Sequence, residues 1–290
     1  MPDNRLREGI APTPHRKEKT TTMAQAPPDS SSTIRERLDA ALHPTERRSA
    51  MDPRALAGGR WWEEAQLGPW PEHLRAGVIE PRKGYRFRPE NLLLPAFMGR
   101  TPRGTVVDLG SGTGSLLLLA AWACQAERAV AVERQPEVHQ RLQRTLDAHG
   151  FGAAVCGDLR RAQCLNAVRE ALGQPQADVV VMNPPFFPSG WGRPSALETT
   201  HLSTHAEHGG VRDFLAAARQ LLAPGGSVFV VYDAGRAAEA LASMGEHGFK
   251  LETMGWVPDQ RPDKAGVPFR IWLEGRLDAG QGIIKCLLPG

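Results

Sequence analysis

The most chemically loaded stretch of this 290-residue chain is Asn183-Pro184-Pro185-Phe186, which closes the apolar run ADVVVM. Four apolar residues in succession read as a buried strand, and two prolines cannot extend it because neither donates to a ladder. The tetrapeptide therefore stands at the carboxyl end of a core strand, the rim where α/β proteins hold ligands. Its residue types suit one task. An exocyclic amine on a base, or a side-chain amide, is a poor nucleophile because its lone pair is delocalised into the π-system. The Asn183 side-chain oxygen and the Pro184 carbonyl can each accept one N–H, holding such a nitrogen with its lone pair turned toward an electrophile. Pro184 and Pro185 fix that carbonyl with little entropy to lose, and Phe186 offers a face for a planar group. The bland reading is a rigid strand-to-loop turn.

Three acids upstream weigh against it. TVVDL leads into Asp108-Leu109-Gly110-Ser111-Gly112-Thr113-Gly114 and then an apolar helix. Glycines there allow a tight turn and close approach of a ligand, and the helix N-terminus offers free N–H groups. A nicotinamide fingerprint would need glycine at the position of Ser115. Beside a pyrophosphate, Asp108 would repel; beside an amino-acid ammonium it would pair. RAVAVE ends at Glu133, an acid placed for ribose hydroxyls, and the next strand ends at Gly157-Asp158, where a carboxylate can accept from an adenine amino group. Each alone could be a helix cap or a surface charge. At the ends of successive strands, however, all three face one crevice.

Those strands set the architecture. TVVDL, RAVAVE, AAVCGD, ADVVVMN and GSVFVVYD alternate with helical segments at 115–125, 136–149, 162–173 and 211–223, so the sheet is expected to be α/β, doubly wound and mainly parallel. A helix near 235–247 and strand candidates KLETMGWV, FRIWLEG and IIKCLL follow. The last three lack room for helices between them and predict an antiparallel edge. Residues 1–32 are rich in Pro, Thr, Ser and charge and read as a disordered tail. TIRERLDAAL (33–42) predicts a short amphipathic helix. Trp61, Trp62 and Trp70 then lie among prolines and glycines, an aromatic cap on the main domain or a stacking surface for a base.

Composition excludes several classes. No run approaches the length of a membrane span, and the N-terminus has charges and prolines where a signal peptide needs an apolar block, so the expected compartment is the cytoplasm. Cys124, Cys156, Cys164 and Cys286 form no ligand-like spacing and read as reduced, mostly buried thiols. The net charge of +3 comes from the first 60 residues, with 11 basic and eight acidic side chains. Between Arg75 and Arg103 there are seven basic residues and two acidic ones, either a solvated face or a footprint for a phosphate backbone. His201, His205, Glu207 and His208 follow the order HxxxHxEH rather than HExxH, so no metal is expected and a polar, substrate-facing loop is the better reading.

The succession of a DLGSGTG turn, a strand-ending acid, a GD and NPPF resembles the class I S-adenosylmethionine-dependent methyltransferases that modify planar amino nitrogens. GYRFRPENLLLPAF, STHAEHGGVRDFLAAARQLLAPGGSVFVVYD and the terminal IIKCLLPG are similar to the bacterial tRNA adenine-N6 methyltransferases acting on valine tRNA. The resemblance covers about residues 84–290. It implies a seven-stranded Rossmann-like methyltransferase domain there, with 33–83 as an N-terminal extension or cap. It implies S-adenosylmethionine as cofactor and a structured RNA, tRNA first, as partner. Tyr85, Phe87 and Pro89 would line the methionine end of that cofactor. Asp108, Gly110, Ser111, Gly112, Gly114, Glu133, Arg134, Asp158, Leu159 and Asn183 would hold the rest. Asn183, Pro184, Pro185 and Phe186 would form the catalytic set. NPPF in place of NPPY also occurs among guanine-N2 methyltransferases, and guanine N2, DNA adenine, a protein glutamine, or RNA binding without catalysis stay open.

Overall fold

The computed structural model describes residues 31–52, 70–83, 86–99, 102–186, 209–258, 267–278 and 284–287. Residues 1–30 of the predicted tail, Tyr85, Trp61, Trp62 and the His201–His208 cluster lie outside them, whereas Ser31 and Ser32, expected in that tail, begin a helix.

The central strand is β3 (Thr105–Leu109), in which every residue is buried. Its lack of polar alternation reflects helices covering both faces. It pairs in parallel with β4 (Arg128–Glu133) and with β6 (Ala177–Met182). Beyond β4 lies β5 (Ala153–Cys156), and beyond β6 lies β7 (Leu222–Asp233), both parallel. Order reverses at β3, so β4 and β6 flank it and a crevice opens at their carboxyl ends. The remaining strands are β9 (Pro268–Leu277), antiparallel to β7, then β8 (Phe249–Pro258) and the short β10 (Lys285–Leu287).

The mainly parallel, doubly wound sheet is as expected, and among the described residues β10, the IIKCLL candidate, joins it as an eighth strand; the expected antiparallel edge is corrected. Only β9 runs against the rest, because the helix at Ala237–Glu246 makes a crossover that returns β8 parallel to β7, leaving a gap into which β9 folds back. β10 does not continue that meander; it lies outside β8 and parallel to it.

The helices follow their apolar faces. In chain order they are α1 (Ser31–Ala40), α2 (Glu72–Arg75), α3 (Leu94–Met98), α4 (Ser115–Cys124), α5 (Pro136–His149), α6 (Ala162–Leu172), α7 (Val211–Leu221) and α8 (Ala237–Glu246). α4, SLLLLAAWAC, is apolar nearly all round and is buried accordingly. α5 is amphipathic, starts with Pro136 in its first turn and turns only Leu142, Thr145, Leu146 and Ala148 inward. Trp70 is buried against Trp122, with ring centroids 6.1 Å apart, so it packs the core and is no stacking surface for a base. Cys124 and Cys164 are buried but Cys156 and Cys286 are exposed, contrary to the expectation of mostly buried thiols.

The described residues before 84, 31–52 and 70–83, pack onto the sheet domain. Strands β1 (Glu46–Ser49) and β2 (Val78–Pro81) form an antiparallel pair, and Ile34, Leu38, Ala76 and Ile79 pack with Ala148 of α5. Buried Glu46 accepts from Arg141 Nε at 2.9 Å and from Arg144 at 2.6 and 2.7 Å. Burial pushes its pKa up, but Arg144, the His43 N–H and Arg141 outweigh this and hold it at about 2. A depressed carboxylate stabilises the fold above its unfolded value near 4.5, and that contribution is lost as pH falls toward 2. Glu46→Ala, which strands two arginines, is expected to cost about 3 kcal/mol at pH 7. Urea denaturation should show this gap to wild type narrowing below pH 4.

Candidate cofactor and acceptor site

The carboxyl ends of β3, β4, β5 and β6 surround a cleft of about 690 Å³, its open mouth included. Gly110 and Gly112 line it from β3, Val132, Glu133, Arg134 and Gln135 from β4, and Gly157, Asp158 and Leu159 from β5. Asn183 and Pro185 enter from β6, and Gly209 and Phe214 from the start of α7.

Glycine is required in the turn. Gly110 has φ +74°, and a Cβ there would stand 2.9 Å from the Phe214 ring; Gly114 has φ +82°, and its Cβ would stand 2.7 Å from Leu142. The turn is pinned by the Gly110 and Ser111 amides, which both donate to the Val132 carbonyl at 2.9 Å.

Asp108 lies beneath the turn rather than in the lining, fully buried. Its Oδ2 accepts from the Leu117 amide in the first turn of α4 at 3.1 Å, and its Oδ1 has no partner among the described residues. Burial pushes its pKa up to about 7, against hydrogen bonds from Ser111 and Leu117. Buried Asn91 reaches the same helix end, donating from Nδ2 to Ser115 Oγ at 3.3 Å, and its Oδ1 likewise has no partner. Two acceptors left without donors at a helix N-terminus fit a ligand that brings an ammonium group.

Glu133 ties the turn to the neighbouring strand. Its Oε2 accepts from the Gly112 amide at 3.1 Å and its Oε1 from the Gln135 amide at 2.8 Å. Burial raises its pKa, opposed by the amides of Gln135, Gly112 and Arg134. Asp158 is the opposite case. Arg160 grips both its oxygens, at 2.9 and 2.6 Å, and, despite partial burial, holds it at about 2. The cleft thus offers an acid of raised pKa at β4 and a permanently ionised one at β5.

Of the expected residues, the structure brings Gly110, Gly112, Glu133, Arg134, Asp158, Leu159, Asn183 and Pro185 to the lining. Ser111, Gly114 and Asp108 support it from below or behind, and Pro184 is buried. Phe87 and Pro89 belong to the segment held over α4 by Asn91 and by Glu80, which accepts from the Phe87 amide at 2.9 Å. Phe186 stands apart from the lining: the Arg270 guanidinium lies over its ring at 4.6 Å, and Tyr232 meets it edge-on at 6.3 Å. Sequence reasoning missed Asn91, Gln135, Gly209 and Phe214. Only Asn91 had a signal, as a lone amide opening the run NLLLPAF.

A family model for the methyltransferase small domain matches residues 89–252, more than half of the chain. The chain belongs to the methyltransferase small domain family. S-adenosylmethionine is accordingly its cofactor, and the unpartnered acceptors of Asp108 and Asn91 fit the amino-acid end of that molecule. Within this framework the chain is 29% identical over 162 residues to the tRNA1(Val) (adenine(37)-N6)-methyltransferase of Shewanella halifaxensis, covering 53% of this chain and 60% of that one. It is 26% identical over 147 residues to the namesake from Porphyromonas gingivalis, covering 49% and 56%. It is also 31% identical over 177 residues to the release factor glutamine methyltransferase of Mycolicibacterium smegmatis, covering 58% and 59%. The chain thus spans 56 to 60% of the length of these curated relatives. A solved structure of SMU.776, a putative methyltransferase complexed with SAH, is 14% identical with a TM-score of 0.47, covering 70% of this chain and 54% of that one.

Proposed function

We propose that this methyltransferase small domain protein methylates an exocyclic amino nitrogen of a nucleobase, with adenine N6 in cytoplasmic tRNA as the acceptor. The supporting observation is the basic stretch beside the site. Arg82, Lys83 and Arg86 are exposed and join no ion pair among the described residues, whereas Arg75 pairs with Glu72 and Arg103 with Glu274. Phe87 and Asn91, which follow that stretch in sequence, belong to the segment tied to Glu80 and to the start of α4, and a cluster of cations there, unpaired among the described residues, suits a polyanionic substrate.

The cofactor supplies a methyl group on a sulfonium. Asp108 and Asn91 would hold its ammonium end, Glu133 its ribose, and Asp158 and Leu159 its adenine. Asn183 Oδ1 and the Pro184 carbonyl would each accept an acceptor N–H, leaving the nitrogen lone pair free to form the N–C bond as the S–C bond breaks to give S-adenosylhomocysteine, with one N–H proton passing to solvent. Phe186 holds the base plane.

Mass spectrometry of nucleosides from tRNA incubated with the protein and cofactor tests this reading. N6-methyladenosine is expected, and an unchanged profile sinks it. A glutamine side chain, the second reading, presents the same planar N–H pair and is favoured by the 31% identity to a release factor enzyme; methylation confined to peptide glutamine would establish it instead.

Two expected results follow from the charges. Replacing Arg82, Lys83 and Arg86 together with Gln should weaken tRNA binding and reduce its salt slope by up to about three. A wild-type slope would make the patch merely solvated surface. The second concerns pH. With its pKa at about 7, Asp108 is largely protonated below that value, and its folded-state stabilisation is lost as pH rises through it. A bound ammonium favours the ionised form, so binding of S-adenosylhomocysteine at pH 7 should release a fraction of a proton and weaken from pH 8 to pH 6. Calorimetry in buffers of different ionisation enthalpy measures this, and Asp108→Asn should abolish it.

A further inference from the structure

Arg270 is nine-tenths buried on β9, remote in sequence from every residue assigned to the site. Its guanidinium lies between two rings, 4.6 Å from the centroid of Phe186 and 3.9 Å from that of Phe269. Its NH1 donates to Asp233 Oδ2 at 2.8 Å and to the Phe269 carbonyl at 3.0 Å, and its Nε faces Glu90 Oε1 at 3.6 Å. Asp233 ends β7, and Glu90 immediately precedes Asn91 in the segment docked on the cofactor side. One cation therefore joins the strap over α4, the end of β7, strand β9 and the NPPF rim.

Burying a guanidinium is costly unless its charge and donors are matched, and here two carboxylates and a carbonyl match them. A lysine could keep the charge but neither the flat stack on two rings nor the fork toward two acids. Core packing alone would be met more cheaply by an apolar residue. What the arginine adds is orientation: its guanidinium covers one face of Phe186, and Tyr232 meets the ring edge-on at an interplanar angle of 87°.

We infer that Arg270 is a positioning residue for methyl transfer, acting through Phe186 to fix the plane in which the acceptor is presented. The inference rests on the proposed acceptor chemistry, but its structural half is measured without any acceptor. In Arg270→Lys, exchange of the Asn183 and Phe186 amides, the two exchangeable ones in the 183–186 segment, should be at least about tenfold faster, while that of β4 stays at the wild-type rate. Turnover on unmodified tRNA should fall at least about tenfold with affinity for S-adenosylhomocysteine within about threefold. Adding Phe186→Leu should then cost little more than Phe186→Leu alone, because both act through one ring. Unchanged exchange at 183–186, or an additive double variant, overturns the inference. Faster exchange with no tRNA turnover even in wild type would sink the tRNA reading and leave the clamp standing. If Arg270→Lys does not fold, Glu90→Gln and Asp233→Asn, each removing one anchor, are held to the same exchange criterion.

Discussion

Asn183→Ala is expected to lower turnover on the true acceptor at least about a hundredfold while leaving affinity for S-adenosylhomocysteine nearly intact, since one preorganised polar contact to a reacting group is worth about 3 kcal/mol. Asn183 lines the cleft at the carboxyl end of β6, on the same rim as the glycine turn, so its amide can serve the reacting nitrogen only where the cofactor's methyl must lie. Pro184 and Pro185 restrict the backbone that carries it. A contact that tightens as the nitrogen attacks lowers the barrier without adding to ground-state binding. Asn183→Asp should be comparably poor, because a carboxylate beside the sulfonium attracts it in the ground state and loses that attraction as the positive charge leaves the sulfur. Single-turnover kinetics with saturating cofactor separates turnover from binding. If Asn183→Ala keeps most of its turnover, the amide is a turn residue and the acceptor geometry proposed here is wrong.

The elements that carry the cleft were legible because burial on both faces writes itself as uninterrupted apolar runs. TVVDL and ADVVVM are such runs, and α5 is bounded as expected by Pro136 and Gly150, whose φ is +65°. Of the acids at the strand ends, Glu133 and Asp158 reach the cleft lining and Asp108 does not. Asp108, expected in the crevice, sits under the turn because β3 is the central strand and α4 caps its end. The pair of β1 and β2 escaped notice since ERRS has three charged residues in four and pairs with a strand some thirty residues away; the buried ion pairs of Glu46 and Glu80 make sense of those charges. Phe186, expected to offer a face to a planar group, stands apart from the cleft lining and packs against the core. That its ring is held by an arginine from β9 depends on a contact across more than eighty residues, which no local pattern encodes.

Glu133→Ala is expected to weaken S-adenosylhomocysteine binding about 30- to 150-fold, with far less change in turnover at saturating cofactor. The carboxylate does two jobs. It accepts from the amides of Gly112 and Gln135, both of which line the cleft, and so sets the spacing between the glycine turn and the end of β4. In the proposed site it would also offer its remaining lone pairs to the ribose hydroxyls of the cofactor. Removing it leaves two backbone N–H groups without their acceptor and deletes the ligand contact, a combined loss of about 2–3 kcal/mol. Glu133→Gln should fall between: one oxygen can still accept a backbone N–H, but the amide's NH2 end opposes the other. Because burial raises the Glu133 pKa, protonation sets in at higher pH than for an ordinary glutamate, so mild acid should mimic Glu133→Gln in the wild-type protein, and the variant should keep only the pH dependence that Asp108 contributes. Titration calorimetry across pH 5 to 8 reads both effects. Equal affinity of Glu133→Ala and wild type would mean that the β4 acid only caps its own turn, and the ribose would then have to be held by other groups lining the cleft.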